Sequence, residues 1–177
     1  MLFRLCPILL LLTLAACGAS GPGGNGDYVG GSVAVECAPF ARALSGVRLS
    51  GDAADWWDEA DGQYSRSLAP EVGSVLVLRR SGRLPSGHVA VVSQVLGQRE
   101  ILVTQANWVH HRVSEDQPVI DVSAANDWSL VRIWWPPVAQ MGVSEYAAFG
   151  FIRSDRPASH DQLIAATPRA IRLAENE

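Results

Sequence analysis

A two-residue link, Gly97-Gln98, constrains this chain more than any other feature. It joins two β-branched runs, His88 to Val95 (HVAVVSQV) and Glu100 to Asn107 (EILVTQAN). A link so short permits only antiparallel pairing, because parallel strands need a crossover of a dozen residues or more. Glycine in the first position fits the type II′ turn that suits a right-twisted hairpin. That turn pairs Leu96 with Arg99, Val92 with Val103, Ala90 with Gln105 and His88 with Asn107. Directly opposed residues have Cβ atoms about 5 Å apart, so a histidine and an asparagine are expected to meet at the open end of the hairpin. A longer turn or a bulge would shift this register, and a one-residue slip would turn one partner to the opposite face.

Further strands are expected around the hairpin. Val72 to Leu78 is an apolar run with β-branched residues. Turn signals follow it at Ser81-Gly82 and Pro85-Ser86-Gly87. Leu130 to Trp135 reads as another strand, stopped by Pro136-Pro137, and Tyr146 to Ile152 is apolar enough to dock on the domain. His110 and His111 would point to opposite faces if extended and read as surface or structural residues. From Ser159 to Glu177 the helical character is weak, with no clear core face, and a frayed tail is expected.

Upstream of the strands the period is helical. In Glu36-Cys37-Ala38-Pro39-Phe40-Ala41-Arg42, Pro39 suits a first turn, where its missing N–H has no partner to lose. Cys37, Phe40, Ala41 and Leu44 share one face, and Gly46 is a plausible stop. A thiol at a helix N-terminus lies in the positive end of the macrodipole, which favours thiolate. A buried structural cysteine is the competing reading of this stretch alone. Gly51 to Asp61 (GDAADWWDEAD) reads as a second short helix, with Ser50 or Asp52 as cap. Its adjacent Trp56 and Trp57 cannot face the same way, so one is expected to pack on the domain and the other to line a groove.

The cysteine count separates the two readings. Residues 1–17 read as an export signal: Arg4 is basic, Leu5 to Leu14 is apolar and shorter than a membrane span, and the run ends in Leu14-Ala15-Ala16-Cys17. Small residues followed at once by cysteine resemble the lipobox of bacterial lipoproteins, which implies cleavage before Cys17 and lipidation there. Residues 18–32 form a glycine-rich flexible tether; the stretch from Gly18 to Gly31 is half glycine. Extended, that stretch reaches about 50 Å. With Cys6 removed and Cys17 lipidated, Cys37 is alone among the three cysteines. An exported structural cysteine normally has a disulfide partner, so a solitary one points to chemistry.

The remaining composition narrows the classes. A formal charge of −4 carries no basic footprint for nucleic acid. The four histidines and three cysteines have no metal-ligand spacing, and no cofactor or metal is expected. No G-x-S-x-G elbow is present.

What is left is a cysteine, a histidine and an asparagine in that order. A thiolate attacks a carbonyl carbon. An imidazole takes the thiol proton and later protonates the leaving amine. An amide oxygen accepts from the ring N–H and fixes the tautomer. The Cys37 N–H at a helix start is a natural oxyanion donor.

Three stretches, Glu36 to Arg42, Gly87-His88-Val89-Ala90-Val91-Val92 and Gln105-Ala106-Asn107-Trp108, resemble the motifs of the CHAP domain, the cysteine, histidine-dependent amidohydrolase/peptidase family. The likeness runs from about Val33 to Ile152, including Asp55-Trp56-Trp57 and Val72-Gly73, and leaves 153–177 as a polar C-terminal tail. It implies a papain-like α+β fold, in which a nucleophile helix packs on an antiparallel sheet. It also implies hydrolysis of peptidoglycan, at the muramoyl-L-alanine amide or within stem or cross-bridge peptides, by an enzyme needing no cofactor. By the motif match Cys37 is the nucleophile, His88 the base and Asn107 the orienting residue, with Gln105, Trp108 and Trp57 as supporting or substrate-binding residues. Many members have glutamate where this chain has Gln105. The glutamine can orient His88 or line the groove, but it supplies no negative charge, and a weaker bias toward thiolate is the implied consequence.

The expected protein is therefore a lipid-anchored peptidoglycan hydrolase working through a thioester, with peptidoglycan and a membrane as partners. Gly18 after Cys17, rather than aspartate, favours the outer membrane by resemblance to Gram-negative lipoproteins, if the source has one. The contrasting expectation, favoured by Gln105, is a catalytically weak cell-wall binding or envelope-assembly lipoprotein.

Overall fold

The computed structural model describes residues 27–177. The expected export signal, the lipidation site Cys17 and the tether up to residue 26 lie outside the described residues. The last part of the expected tether is not free chain. Strand β1 (Asp27–Val29) pairs antiparallel with β6 (Val113–Asp121), placing Tyr28 opposite Ser114. The Arg112 guanidinium lies 4.1 Å from the centre of the Tyr28 ring, and the Val33 N–H donates to the His111 carbonyl at 2.9 Å. Two aromatic and backbone anchors outweigh the flexibility that Gly30 and Gly31 bring.

Six strands close on themselves. β3 (Val75–Leu78), β4 (His88–Val95), β5 (Glu100–Ala106), β6, β7 (Leu130–Trp135) and β9 (Tyr146–Ile152) pair in that order, and β9 returns to β3, every pairing antiparallel. Closure removes the open edges that an apolar sheet of this size would otherwise expose. Short β2 (Arg66–Ser67) and β8 (Gln140–Met141) extend β9 and β7. Side chains alternate accordingly. Leu76, Leu78, Ala90, Val92, Ile101, Val103, Val119 and Ile133 form one buried cluster. Val75, Val77, Val89, Val91 and Ala106 lie on the other face and join the helices in a second.

β4 and β7 occupy the expected ranges. Tyr146–Ile152, expected only to dock, is a full strand between β3 and β7. β6 is a strand the sequence did not announce, because Glu115, Asp116 and Pro118 interrupt its alternation. His110 and His111 do not point apart: they stack with centroids 3.7 Å apart in an exposed turn where His111 has φ 59°.

The hairpin register is half as expected. The Leu96 and Gly97 N–H groups both donate to the Glu100 carbonyl, at 3.0 and 3.1 Å, so Arg99 belongs to the turn and Leu96 closes on Glu100. Val95 opposes Ile101 and Gln94 opposes Leu102, one residue off. A bulge at Ser93 absorbs the slip and restores the expected pairing of Val92 with Val103.

Helix α1 (Cys37–Ser45) buries Phe40, Ala41 and Leu44 and ends at Gly46, whose φ of 79° lets its N–H return to the Arg42 carbonyl at 3.0 Å. The expected second helix is a 3-10 turn, Ala53–Asp55, running into α2 (Trp56–Glu59). Asp52 stands at its N-cap without a side-chain cap bond and pairs with Arg80 instead.

The C-terminal segment does not fray. Helix α3 (His160–Ala174) opens with a reciprocal capping box between Ser159 and Gln162 and buries Leu163, Thr167, Ala170, Ile171 and Ala174. These positions make a stripe at i, i+4, i+7, i+8 and i+11, which packs with α1 in the outer core. Alanine and threonine rather than large aliphatics hold three of the stripe's five positions, which is why it does not read as a core face. Arg42 of α1 pairs with Glu177 at the chain's end.

Candidate active site

Cys37 is the first residue of α1, and His88 is the first residue of β4, on which α1 packs. The approach to His88 is tight. Gly87 has φ 74°, and a Cβ there would lie 2.6 Å from Ala54 Cβ and 2.7 Å from both the Ala54 nitrogen and the Leu78 carbonyl oxygen. Only glycine passes. The Ala54 N–H donates to the Ser86 carbonyl at 3.0 Å, so the 3-10 turn pins the start of the histidine strand.

The His88 imidazole is 4% exposed. Its Nε2 shares a 2.7 Å hydrogen bond with Gln105 Oε1, and Trp108 meets the ring edge-on, centroids 5.1 Å apart. Cys37 and His88 act on each other's protonation through charge and hydrogen bonding. Burial pushes the Cys37 thiol upward, but the His88 charge, its hydrogen bond and one from the Val89 backbone outweigh burial and hold the thiol below its ordinary 9.0. Burial likewise pushes His88 downward, yet the Cys37 charge and hydrogen bond, with the Gln105 hydrogen bond, hold it above its ordinary 6.5. Both directions favour a thiolate–imidazolium pair. A neutral Gln105 does not prevent this.

The Asn107 side chain spends its hydrogen bonds away from His88. Asn107 lies just beyond β5 at φ 58°, where the chain turns toward Arg112, and its own N–H donates to the Arg112 carbonyl at 2.8 Å. Its Nδ2 donates to Glu36 at 2.8 Å and its Oδ1 accepts from the His111 N–H at 3.0 Å. The expected histidine–asparagine pairing is therefore corrected: Gln105 holds the ring, and Asn107 ties the β5–β6 turn to the residue before Cys37. The left-handed backbone at Asn107 is the physical reason, since it takes the residue off the strand's alternation.

Trp108 bridges to Tyr146, also edge-on at 5.1 Å, and its Nε1–H donates to the Trp134 carbonyl at 3.3 Å. Beside Trp108 and Tyr146 lies a groove of about 410 Å³, with Arg83, Trp135, Met141 and Val143 on its walls. Trp57 stands apart from these aromatics. It stacks on Phe149 with planes 11° apart, under Arg66, while Trp56 is fully buried. A larger cavity of about 690 Å³, between α1 and α3, is lined by none of Cys37, His88 or Gln105. Among the described residues no cluster of histidine, cysteine, aspartate or glutamate could hold a metal.

One participant escaped the sequence. Gln117, fully buried on β6, accepts from Gln105 Nε2 at 2.8 Å and donates through its own Nε2 to the Trp134 carbonyl at 2.6 Å. Its only signal is its place two residues before Val119, on the same face.

Residues 26–107 match the family model described as "CHAP domain". That span contains Cys37, His88, Gln105 and Asn107 and stops short of Gln117. Among solved structures, one titled "The crystal structure of Ly7917" is similar at 18% identity and a TM-score of 0.35; the match covers 68% of this chain and 57% of that chain. No curated protein matches.

Proposed function

We propose, from the premise that residues 26–107 carry a CHAP domain, that the protein is a cysteine-dependent peptidoglycan hydrolase of papain-like fold. The single observation carrying this reading is the buried His88 at the start of β4, held by Gln105 through Nε2, with helix α1 and its first residue Cys37 packed on that strand. In the proposed reaction Cys37 Sγ attacks the carbonyl carbon of a peptidoglycan amide. The backbone N–H of Cys37, at the open end of α1, takes the developing oxyanion. The His88 imidazolium then gives its cysteine-facing proton to the leaving amine as the C–N bond breaks, which leaves a thioester and neutral histidine. Water, deprotonated by the same nitrogen, attacks the thioester and releases the carboxylate and the thiol. Trp108 and the groove beside Tyr146 would hold substrate. Trp57, stacked on Phe149, fits a packing role better.

Export and lipidation at Cys17 belong to this proposal and rest on the sequence of residues 1–17. Anchoring in an outer membrane follows from Gly18, if the source has one.

Digestion of purified cell wall by wild type and by Cys37→Ala, with mass spectrometry of the released muropeptides, tests the reading and identifies the bond cut. Undiminished release by the variant overturns it. A binding or envelope-assembly role draws on one observation, the uncharged Gln105. Fast alkylation of Cys37 at neutral pH would speak against that role, and inertness would favour it.

A further inference from the structure

The hydrogen bonds behind His88 form a chain whose polarity is fixed at its far end. Trp134 contributes a backbone carbonyl oxygen, which can only accept. It accepts from Gln117 Nε2 at 2.6 Å. The amide nitrogen of Gln117 is thereby committed, and its Oε1 must face the next residue, where it accepts from Gln105 Nε2 at 2.8 Å. Gln105 is committed in turn, and its Oε1 must face His88 Nε2 at 2.7 Å. An amide oxygen in that place requires a proton on Nε2. Reversing either amide would set two acceptors or two N–H groups against each other in a site where Gln105 and Gln117 have no exposed surface. The second lone pair of the Trp134 oxygen accepts from Trp108 Nε1, and the Trp108 ring abuts the imidazole edge-on. One carbonyl thus anchors both the in-plane and the out-of-plane supports of the histidine.

We infer that Gln117, with the Trp134 carbonyl, is the positioning element that makes a neutral Gln105 sufficient as the histidine's orienter, by locking His88 with its Nε2 protonated and its Nδ1 open toward Cys37. A carboxylate at position 105 would need no such element, because both its oxygens accept whichever way it turns. An amide has one accepting end and one donating end, and left alone it would present either. The third residue resolves that ambiguity. The lock is indifferent to the charge of the ring, since Nε2 keeps its proton in both imidazole and imidazolium, so the proton needed for chemistry moves only on the Nδ1 side.

This inference rests on the reading of His88 as the general base, but the tautomer can be measured without any turnover. The first test is the nitrogen NMR spectrum of the histidine-labelled wild-type chain, with His88 assigned by His88→Gln. At a pH above the imidazolium's titration, a neutral His88 protonated on Nε2 is expected, and a neutral ring protonated on Nδ1 overturns the lock. The second is Gln117→Leu, which frees the Gln105 amide to turn. Mixed tautomers are expected, with kcat/KM and the neutral-pH alkylation rate of Cys37 each lowered roughly tenfold and KM little changed. Adding Gln105→Glu to that variant is expected to restore the Nε2 proton, because the carboxylate accepts without a third partner. Failure of that rescue in a folded double variant, or an unaltered tautomer in folded Gln117→Leu, overturns the inference. A wild type that shows the Nε2 proton yet hydrolyses no cell wall would leave the lock standing and defeat the hydrolase reading instead.

Discussion

His88 and Gln105 are joined by a 2.7 Å hydrogen bond from the ring Nε2–H to the amide oxygen, inside a site where both side chains are buried. It occupies the place where the sequence led one to expect Asn107.

Replacing Gln105 by leucine leaves His88 Nε2–H and Gln117 Oε1 buried and unpaired. Each such loss costs about 1–3 kcal/mol. A lower Tm is expected, together with a drop in kcat/KM larger than the stability loss explains. Gln105→Glu is expected to act oppositely on the histidine, since a negative charge favours imidazolium. Its alkaline activity limb should move to higher pH.

Asn107→Ala is expected to be the milder change. It removes the tie to Glu36 and the acceptor for the His111 N–H and puts alanine at φ 58°. A stability loss of about 1–3 kcal/mol follows from the backbone conformation alone. Side-by-side kinetics should rank Gln105→Leu below Asn107→Ala in kcat/KM, and the reverse order would contradict the geometry.

The rate profile against pH is expected to be bell-shaped. Both limbs belong to the coupled Cys37–His88 pair, with the thiol held below 9.0 and the imidazole above 6.5. The same shifts act on stability with opposite signs. The Cys37 contribution is present above the unfolded thiol value and is lost as pH falls through the folded one. That of His88 is present below the unfolded histidine value and is lost as pH rises through the folded one. In His88→Ala, Cys37 loses its two largest lowering influences, burial is opposed by the Val89 backbone hydrogen bond alone, and alkylation should require markedly higher pH.

Gly87→Ala should damage stability and activity together. The positive φ costs about 1–3 kcal/mol, and overpacking against Ala54 and the Leu78 carbonyl adds a comparable amount. Denaturant unfolding and cell-wall hydrolysis, measured on the same preparation, check the coupling.

Helix α3 should contribute measurably to the fold. Ser159→Ala removes half of the capping box and is expected to cost about 0.5–2 kcal/mol. Ala170→Asp buries a carboxylate against α1 and should cost more. A tail without structural role would leave the unfolding midpoint unchanged in both.

Local chemistry wrote much of this protein into its sequence. The β-branched runs gave β4 and β7 their bounds, Gly46 ended α1, and the pattern around Cys37 placed a thiol at a helix start, all through interactions within a few residues. Cys37 and His88 were legible as candidates because each residue sits at the first position of a recognisable element. Three things depended on distant chain. The bulge at Ser93 trades one residue of register inside a hairpin that sequence treats as regular. The left-handed turn at Asn107 is held by Glu36 and His111, 71 and 4 residues away. Gln117 sits on a strand disguised by Glu115, Asp116 and Pro118, and it becomes meaningful only when barrel closure sets it between Gln105 and the Trp134 carbonyl. Periodicity reports which side chains share a face. Which buried amide meets which acceptor is decided by how the strands close, and that is a property of the whole fold.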